Sequence, residues 1–242
     1  MKIKLKKKYL SESGEVSYLV FSLEEELKFK EWQFMMLEKE LHGTITKRAY
    51  SIVSTYLEFK SSGEITFFVK RASEKGMSDY LTKLIQPGDE LDMMWPFGHM
   101  TNDYSKDNYL FLAMWSGRAS NIPLLRNILL EKKNYNKVYS VFGERYFSNI
   151  VMELKSMYDI DIENYQWVIY FSKENIDKKW EKNGNLIYHK WYIQKEIDKA
   201  LEFIDSKEIK VFMCGKPVMV DEVVEILMKK GINRENILFE KY

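Results

Sequence analysis

A single cysteine, Cys214, in 242 residues excludes an internal disulfide framework and any iron–sulfur cluster held by several cysteines of this chain. The three scattered histidines, His42, His99 and His189, offer no pattern for a structural zinc site. Charge of one sign is missing too. With 37 basic and 36 acidic side chains the formal net charge is +1, so nothing draws the chain in bulk to nucleic acid or to a membrane surface. No apolar run approaches the length of a membrane span, and the N-terminus lacks a signal-peptide core. The expectation is a cytoplasmic protein with no nucleic-acid and no membrane partner. What the chain does have is aromatic residues, 15% of the total, most of them accounted for by core packing. Its length suits one large domain or two small ones.

The first hundred residues read as β-structure. Met1–Tyr9 alternates Ile3 and Leu5 with lysines, which predicts an edge strand with a lysine-rich outer face. Further strands are expected at Val16–Leu23, Trp32–Leu37, Arg48–Thr55, Glu64–Lys70 and Glu90–Met94, several of them separated by turns such as Ser61-Ser62-Gly63 and Pro87-Gly88-Asp89. Short strands at this spacing suggest a small antiparallel barrel. One helix is predicted over Met77–Ile85, where Met77, Tyr80, Leu81 and Leu84 recur at helical spacing and Ser78 is a candidate cap. Polar residues from Asn102 to Asn108 mark a boundary between domains spanning 1–103 and 104–242.

After that boundary the rhythm changes. Continuous apolar runs at Tyr109–Trp115, Val138–Gly143, Tyr165–Phe171, Val211–Cys214 and Ile237–Phe239 alternate with helical patterns at about Ile122–Lys133, Asn149–Tyr158, Lys195–Ile204 and Val218–Lys230. Unalternating strands between helices imply a parallel sheet covered on both faces. Such sheets bind ligands at the carboxyl ends of their strands. The loops at those ends hold Ser116-Gly117-Arg118-Ala119, then Gly143-Glu144-Arg145, then Ser172-Lys173, then Cys214-Gly215-Lys216-Pro217. Cations at neighbouring strand ends suit an anionic dinucleotide, although each alone is also an ordinary solvated loop charge.

In the first half, Arg48-Ala49-Tyr50-Ser51 is followed by Phe68-Val69-Lys70-Arg71 and by Gly76-Met77-Ser78. A cation, an aromatic ring, a hydroxyl and a glycine-serine turn make a cradle for a flavin dinucleotide, with the ring against the isoalloxazine and cations on the pyrophosphate. The order of a flavin-type barrel and a nucleotide-type parallel sheet resembles the ferredoxin–NADP(H) reductase family from about Leu27 to Tyr242. Trp32-Gln33-Phe34 looks like the family's strand leading into the flavin site. The resemblance assigns Arg48 to the pyrophosphate, Tyr50 to the isoalloxazine face and Ser51 to its reactive edge. It assigns Phe68, Val69, Lys70, Gly76, Met77 and Ser78 to the rest of FAD. Pro96-Phe97-Gly98 resembles the family's barrel-closing turn, and Cys214-Gly215-Lys216-Pro217-Val218-Met219 resembles its Cys-Gly-x-Pro-x-Met motif, whose cysteine sits beside the nicotinamide.

The family's glycine-rich turn appears here as Gly117-Arg118-Ala119-Ser120-Asn121-Ile122-Pro123, with only its first glycine and its proline kept. Glycines let a pyrophosphate approach the backbone. Arg118, Ser120 and Asn121 either replace that contact with a cation and hydrogen bonds or obstruct it. By the same resemblance, Arg145, Lys173 and Lys190 are placed to meet the 2′-phosphate of NADP(H), which is favoured over NAD(H). Glu240 is a candidate for the flavin edge, and the terminal Tyr242 for stacking over the flavin. The implied function is an FAD-dependent oxidoreductase moving electrons between NADP(H) and ferredoxin or flavodoxin. Ser51, Cys214 and Tyr242 are its catalytic candidates, and Lys2–Lys8 a possible attraction for an acidic carrier. Alternatives are reduction of another acceptor, or a flavoprotein relay with impaired nicotinamide binding.

Overall fold

The computed structural model describes residues 1–98, 105–131, 135–151, 163–173, 188–189 and 193–241. Two six-stranded sheets organise them. The first is antiparallel, with β1 Lys2–Leu10, β2 Val16–Ser22, β3 Phe34–Leu41, β4 Thr44–Ser51, β5 Glu64–Lys70 and β6 Glu90–Met93 in the order β4-β3-β6-β1-β2-β5. Its two end strands are drawn together past the end of β4. An Ile52–Phe67 bridge and the Val53 N–H bond to the Thr66 carbonyl, 2.9 Å, close the sheet into a barrel. The second sheet is parallel. It contains β7 Asn108–Met114, β8 Lys137–Glu144, β9 Tyr165–Phe171, β10 Tyr188–His189, β11 Ile209–Gly215 and β12 Ile237–Lys241, in the order β10-β9-β8-β7-β11-β12.

Strand β1 is not at an edge, contrary to the sequence reading; it lies between β6 and β2. The alternation of Ile3 and Leu5 with lysines reports two faces, one in the barrel core and one in solvent, and says nothing about edges. Acids on the neighbouring strand accompany those lysines, as in the Lys2–Glu90 pair at 3.8 Å. The β3–β4 hairpin also runs further than expected. His42 and Gly43 turn it at φ 51° and 75°, the two-residue geometry that matches strand twist.

Four helical features depart from the sequence reading. Helix α1, Tyr56–Ser62, is an addition to it, too short for periodicity and started by a capping box. The Glu58 carboxylate accepts from the Thr55 N–H at 2.8 Å, and the Thr55 hydroxyl from the Glu58 N–H at 3.2 Å. Helix α2, Met77–Asp79, continues into a π-turn over Tyr80–Leu84 and is capped by Gly76, not Ser78. The Ser78 hydroxyl instead accepts from the Ala72 N–H at 3.1 Å. Helix α3, Arg118–Arg126, begins four residues before the expected Ile122 and contains Pro123. Burial of the residues from Ala119 to Leu125 outweighs the backbone bond that proline forfeits. The predicted helix at Asn149–Tyr158 falls from residue 152 onward outside the described residues, and Phe147–Asn149 is a 3-10 turn. Helices α4, Ile197–Ile204, and α5, Pro217–Lys229, complete the set among the described residues.

The apolar runs are explained by burial on both faces. Along β7, Tyr109, Phe111 and Ala113 face one cluster with α3 residues Ile122 and Leu125, while Leu110 and Leu112 face a second with Ile197 of α4 and Val223 of α5. The first cluster also takes in Val16, Tyr18 and Val20 of β2 and Phe68 of β5. The opposite sides of those strands, through Leu19, Phe21, Phe67 and Val69, fill the barrel. Strands β2 and β5 are therefore shared walls, packed on the barrel core on one side and on the parallel sheet's layer on the other.

Candidate active site

The parallel sheet changes direction between β7 and β11, which are adjacent though the chain places three other strands between them. A crevice forms at the carboxyl ends of strands that part in this way. Here those ends are Trp115-Ser116-Gly117 after β7 and Cys214-Gly215-Lys216 at β11. Gly117 lets the two meet: a Cβ there would stand 2.4 Å from the Cys214 carbonyl oxygen, so only glycine fits without moving backbone.

A cavity of about 440 Å³ opens between this crevice and the barrel. The barrel contributes Phe34, Ala49, Tyr50, Ser51, Phe68 and Lys70; the parallel-sheet half contributes Ser116, Gly117, Ala119, Cys214, Glu240 and Lys241. Residues drawn from several distant sequence motifs thus share one cavity. Burial raises the Tyr50 phenol well above its ordinary value, only partly opposed by Arg48, so the ring is neutral. Burial also pushes the Cys214 thiol up to about 12, against a hydrogen bond with Ser120. It stays protonated and offers a neutral contact surface, not a nucleophile. The Glu240 carboxyl is raised by burial, opposed by the Trp32 indole facing it. Three aromatic rings, a hydroxyl and an uncharged thiol around a gap between two layers suit a flat heteroaromatic ring.

Other sequence candidates lie differently. The side chains of Val69 and Met77 are in the barrel core, leaving only backbone for a ligand. Arg48 is exposed, its guanidinium donating to the Lys47 carbonyl at 2.8 Å. Gly76 and Ser78 open α2, away from the cavity lining. Arg71 is closed on Asp79 at 2.6 Å and Glu15 at 3.1 Å. Lys70 lines the cavity but bonds Glu144 at 2.7 Å. Arg118, Ser120 and Asn121 point inward, and their side chains are buried. Arg118 is buried over the Phe68 ring at 4.4 Å and lies 3.9 Å from Glu144. The Ser120 hydroxyl donates to the Gly117 carbonyl at 2.9 Å, and the Asn121 amide to that of Leu112 at 3.3 Å. Lys190 and Tyr242 lie outside the described residues.

Sequence reasoning missed the role of Glu144. It is buried at the end of β8 and accepts from Lys70, from the Arg145 N–H at 2.7 Å and from the Asn149 amide at 3.0 Å. Desolvation pushes its carboxyl up, but Arg118 and Lys70 together outweigh that and hold it below the usual carboxylate range. Beyond it lies a larger cavity, about 760 Å³, lined by Trp115, Arg145, Tyr170, Lys173, Lys216 and Met219 among others. The half-buried Trp115 ring is surrounded by cations, which sequence spacing could not reveal.

The comparisons with known proteins bear on this arrangement. Residues 2–102 match the oxidoreductase FAD-binding domain family. The whole chain superposes on a ferredoxin NADP+ reductase from Neisseria gonorrhoeae with bound FAD and NADP, at a TM-score of 0.77 and 18% identity, covering 100% of this chain and 98% of that one. The chain has the two-domain fold of that reductase, and its first half matches an FAD-binding domain. That domain takes FAD as its cofactor, and the smaller cavity offers aromatic walls, a hydroxyl and a neutral thiol suited to its ring system. One relative is a component of the Na(+)-translocating NADH-quinone reductase of Marinomonas sp. (strain MWYL1), 28% identical over 94% of this chain and 56% of that protein. The toluate 1,2-dioxygenase electron transfer component of Pseudomonas putida is 24% identical over 90% of this chain and 60% of that protein. The chain thus spans little more than half the length of those curated relatives.

Proposed function

We propose that this reductase passes electrons between a nicotinamide dinucleotide, NADP(H) in preference to NAD(H), and a one-electron carrier such as ferredoxin or flavodoxin. The observation that supports this best is the pairing of two cavities across one strand end. The smaller places Tyr50 and Ser51 opposite Cys214, and the larger exposes Arg145, Lys173 and Lys216 on the other side of Trp115. FAD, when bound, supplies the conversion between two-electron hydride chemistry and single-electron transfer. Tyr50 gives one aromatic wall, and Ser51 a hydroxyl for hydrogen bonding at the ring's edge. Cys214, neutral and held by Ser120, fixes the opposite wall, since a small misplacement of two reacting rings costs rate steeply. Glu240 can hold a proton at that end of the cavity, its carboxyl being raised by burial. Arg145 and Lys173 favour a ligand with an additional phosphate.

The test is direct. The purified protein is expected to show a flavin spectrum that NADPH bleaches anaerobically, faster than NADH does. Loss of the NADPH preference removes the cofactor assignment. Flavin that neither nucleotide bleaches removes the electron-transfer reading and favours a relay flavoprotein, for which the buried side chains of Arg118, Ser120 and Asn121 are the motive. Bleached flavin that ferredoxin and flavodoxin fail to reoxidise favours another acceptor, such as an oxygenase of the kind the toluate dioxygenase relative is named for.

A further inference from the structure

Trp115 follows β7 with a left-handed backbone at φ 50°, a conformation a bulky residue adopts only where its surroundings impose it. The residue is half-buried and lines the larger cavity, while the next two, Ser116 and Gly117, line the smaller one. The indole therefore stands on the rim between them. Three cations rest against it: the Arg145 guanidinium at 4.3 Å, the Lys216 ammonium at 4.5 Å and the Lys70 ammonium at 5.2 Å from the ring centre. Each contact is attractive, but the cations repel one another.

Lys70 is neutralised by Glu144. Arg145 and Lys216 make no ion pair among the described residues. Of the acids lining the same cavity, Glu144 is paired with Lys70, Glu225 pairs with Lys229 at 2.6 Å, and Glu222 accepts from the neutral Gln194 amide at 2.6 Å. Among the described residues, none of these acids is paired with Arg145 or Lys216. The turn after it cannot supply ligand contacts from Arg118, Ser120 or Asn121, whose side chains are buried.

We propose that Trp115 is a gate between the two cavities, held closed by Arg145 and Lys216 and opened when a pyrophosphate takes those two cations. The proposal rests on the electron-transfer reading above and assigns the residues that admit its dinucleotide. A pyrophosphate diester carries two negative charges, matching the two uncompensated cations. Charge-assisted bonds from a guanidinium and an ammonium to phosphate oxygens are stronger than their contacts with a ring at the cavity rim. Once they transfer, only the longer Lys70 contact, at 5.2 Å, remains on the indole. Trp115 is a positioning residue: it admits a ligand to the smaller cavity only when the pyrophosphate is seated.

The experiment uses the FAD-loaded full chain in two arms. In the first, ADP, which has the pyrophosphate but no nicotinamide, is titrated by calorimetry. Lys216→Gln and Arg145→Gln are each expected to weaken ADP binding at least fivefold, and Trp115→Ala to tighten it at least threefold. In the second, anaerobic flavin bleaching is followed with dihydronicotinamide riboside, which has no phosphate to open the gate. Trp115→Ala is expected to react at least fivefold faster than the parent, with Trp115→Phe, a smaller ring more weakly held, in between. ADP that fails to bind the parent, or binds both glutamine variants as tightly, overturns the proposal. So does a Trp115→Ala protein that binds ADP more weakly or reacts no faster with the riboside. If the parent flavin is bleached by neither NADPH nor NADH, the electron-transfer reading fails, while the ADP titration still decides the cation assignment.

Discussion

Glu144 shows how a single side chain outside any motif holds the site together. It is a buried carboxylate reached by Lys70 from the barrel and by Arg118 and Asn149 from the other half. Removing its charge leaves two largely buried cations facing each other, so Glu144→Gln is expected to cost about 3–5 kcal/mol of stability at pH 7, measured by denaturant unfolding. The pH dependence follows from the same contacts. Its folded carboxyl lies below the usual range, so its contribution is complete above the unfolded value and is lost as pH falls through the folded one. Lys70 shifts downward too, lowered first by burial; it remains protonated throughout that acidic window, so the carboxylate sets the sign. The parent should lose stability between neutral pH and the acid range more steeply than Glu144→Gln, and equal slopes would discount the pairing. Tyr50, Ser51 and Cys214, which the structure brings to one cavity, could be singled out in the sequence because each sits in a short motif. Lys70 was legible as a cation near the site but not as the partner of a residue 74 positions away. Arg118 was misread because a loop cation and a buried one have the same letter.

At the scale of elements, the continuous apolar strands were readable because burial on both faces leaves no alternation to hide. The lysine alternation of β1 fixes its faces, and only pairing partners decide whether it is interior. Helix α1 is the instructive case. Its signal, Thr55 followed three residues later by Glu58, is a cap pattern that periodicity does not detect. That capping box also reaches beyond its own helix, because the other oxygen of Glu58 pairs with Arg126 at the end of α3, tying barrel to parallel sheet. Thr55→Ala removes the cap's side-chain acceptor and should cost about 1 kcal/mol. Glu58→Ala loses both the reciprocal cap bond and the bridge to Arg126, and should cost more. Equal losses in thermal unfolding would mean that the Arg126 pair contributes nothing beyond the helix.

Across the whole molecule, the cavity exists only where the halves meet, so their relative placement has to be fixed more firmly than a few loop contacts allow. The shared core does this. Phe212 of β11 stacks on Phe111 at 5.3 Å and meets Trp32, which precedes β3, at the same distance. Around them the cluster draws Tyr18 and Phe68 from the barrel and Ile122 from α3. A core that takes side chains from both halves makes each half lose apolar burial when the other unfolds, which couples their melting. Phe212→Ala should therefore cost about 3–5 kcal/mol and lower the melting temperature by roughly 6–20 °C for a chain of this size. In calorimetry the parent should melt in one transition. The variant should begin to separate into two, with flavin released at the first, because losing the shared ring weakens the coupling more than either half. A parent that already melts in two steps would show that the halves fold independently. The alignment of Tyr50 and Ser51 with Cys214 would then have to come from the bound cofactor bridging them, and flavin removal, not Phe212→Ala, would be the change that uncouples the two.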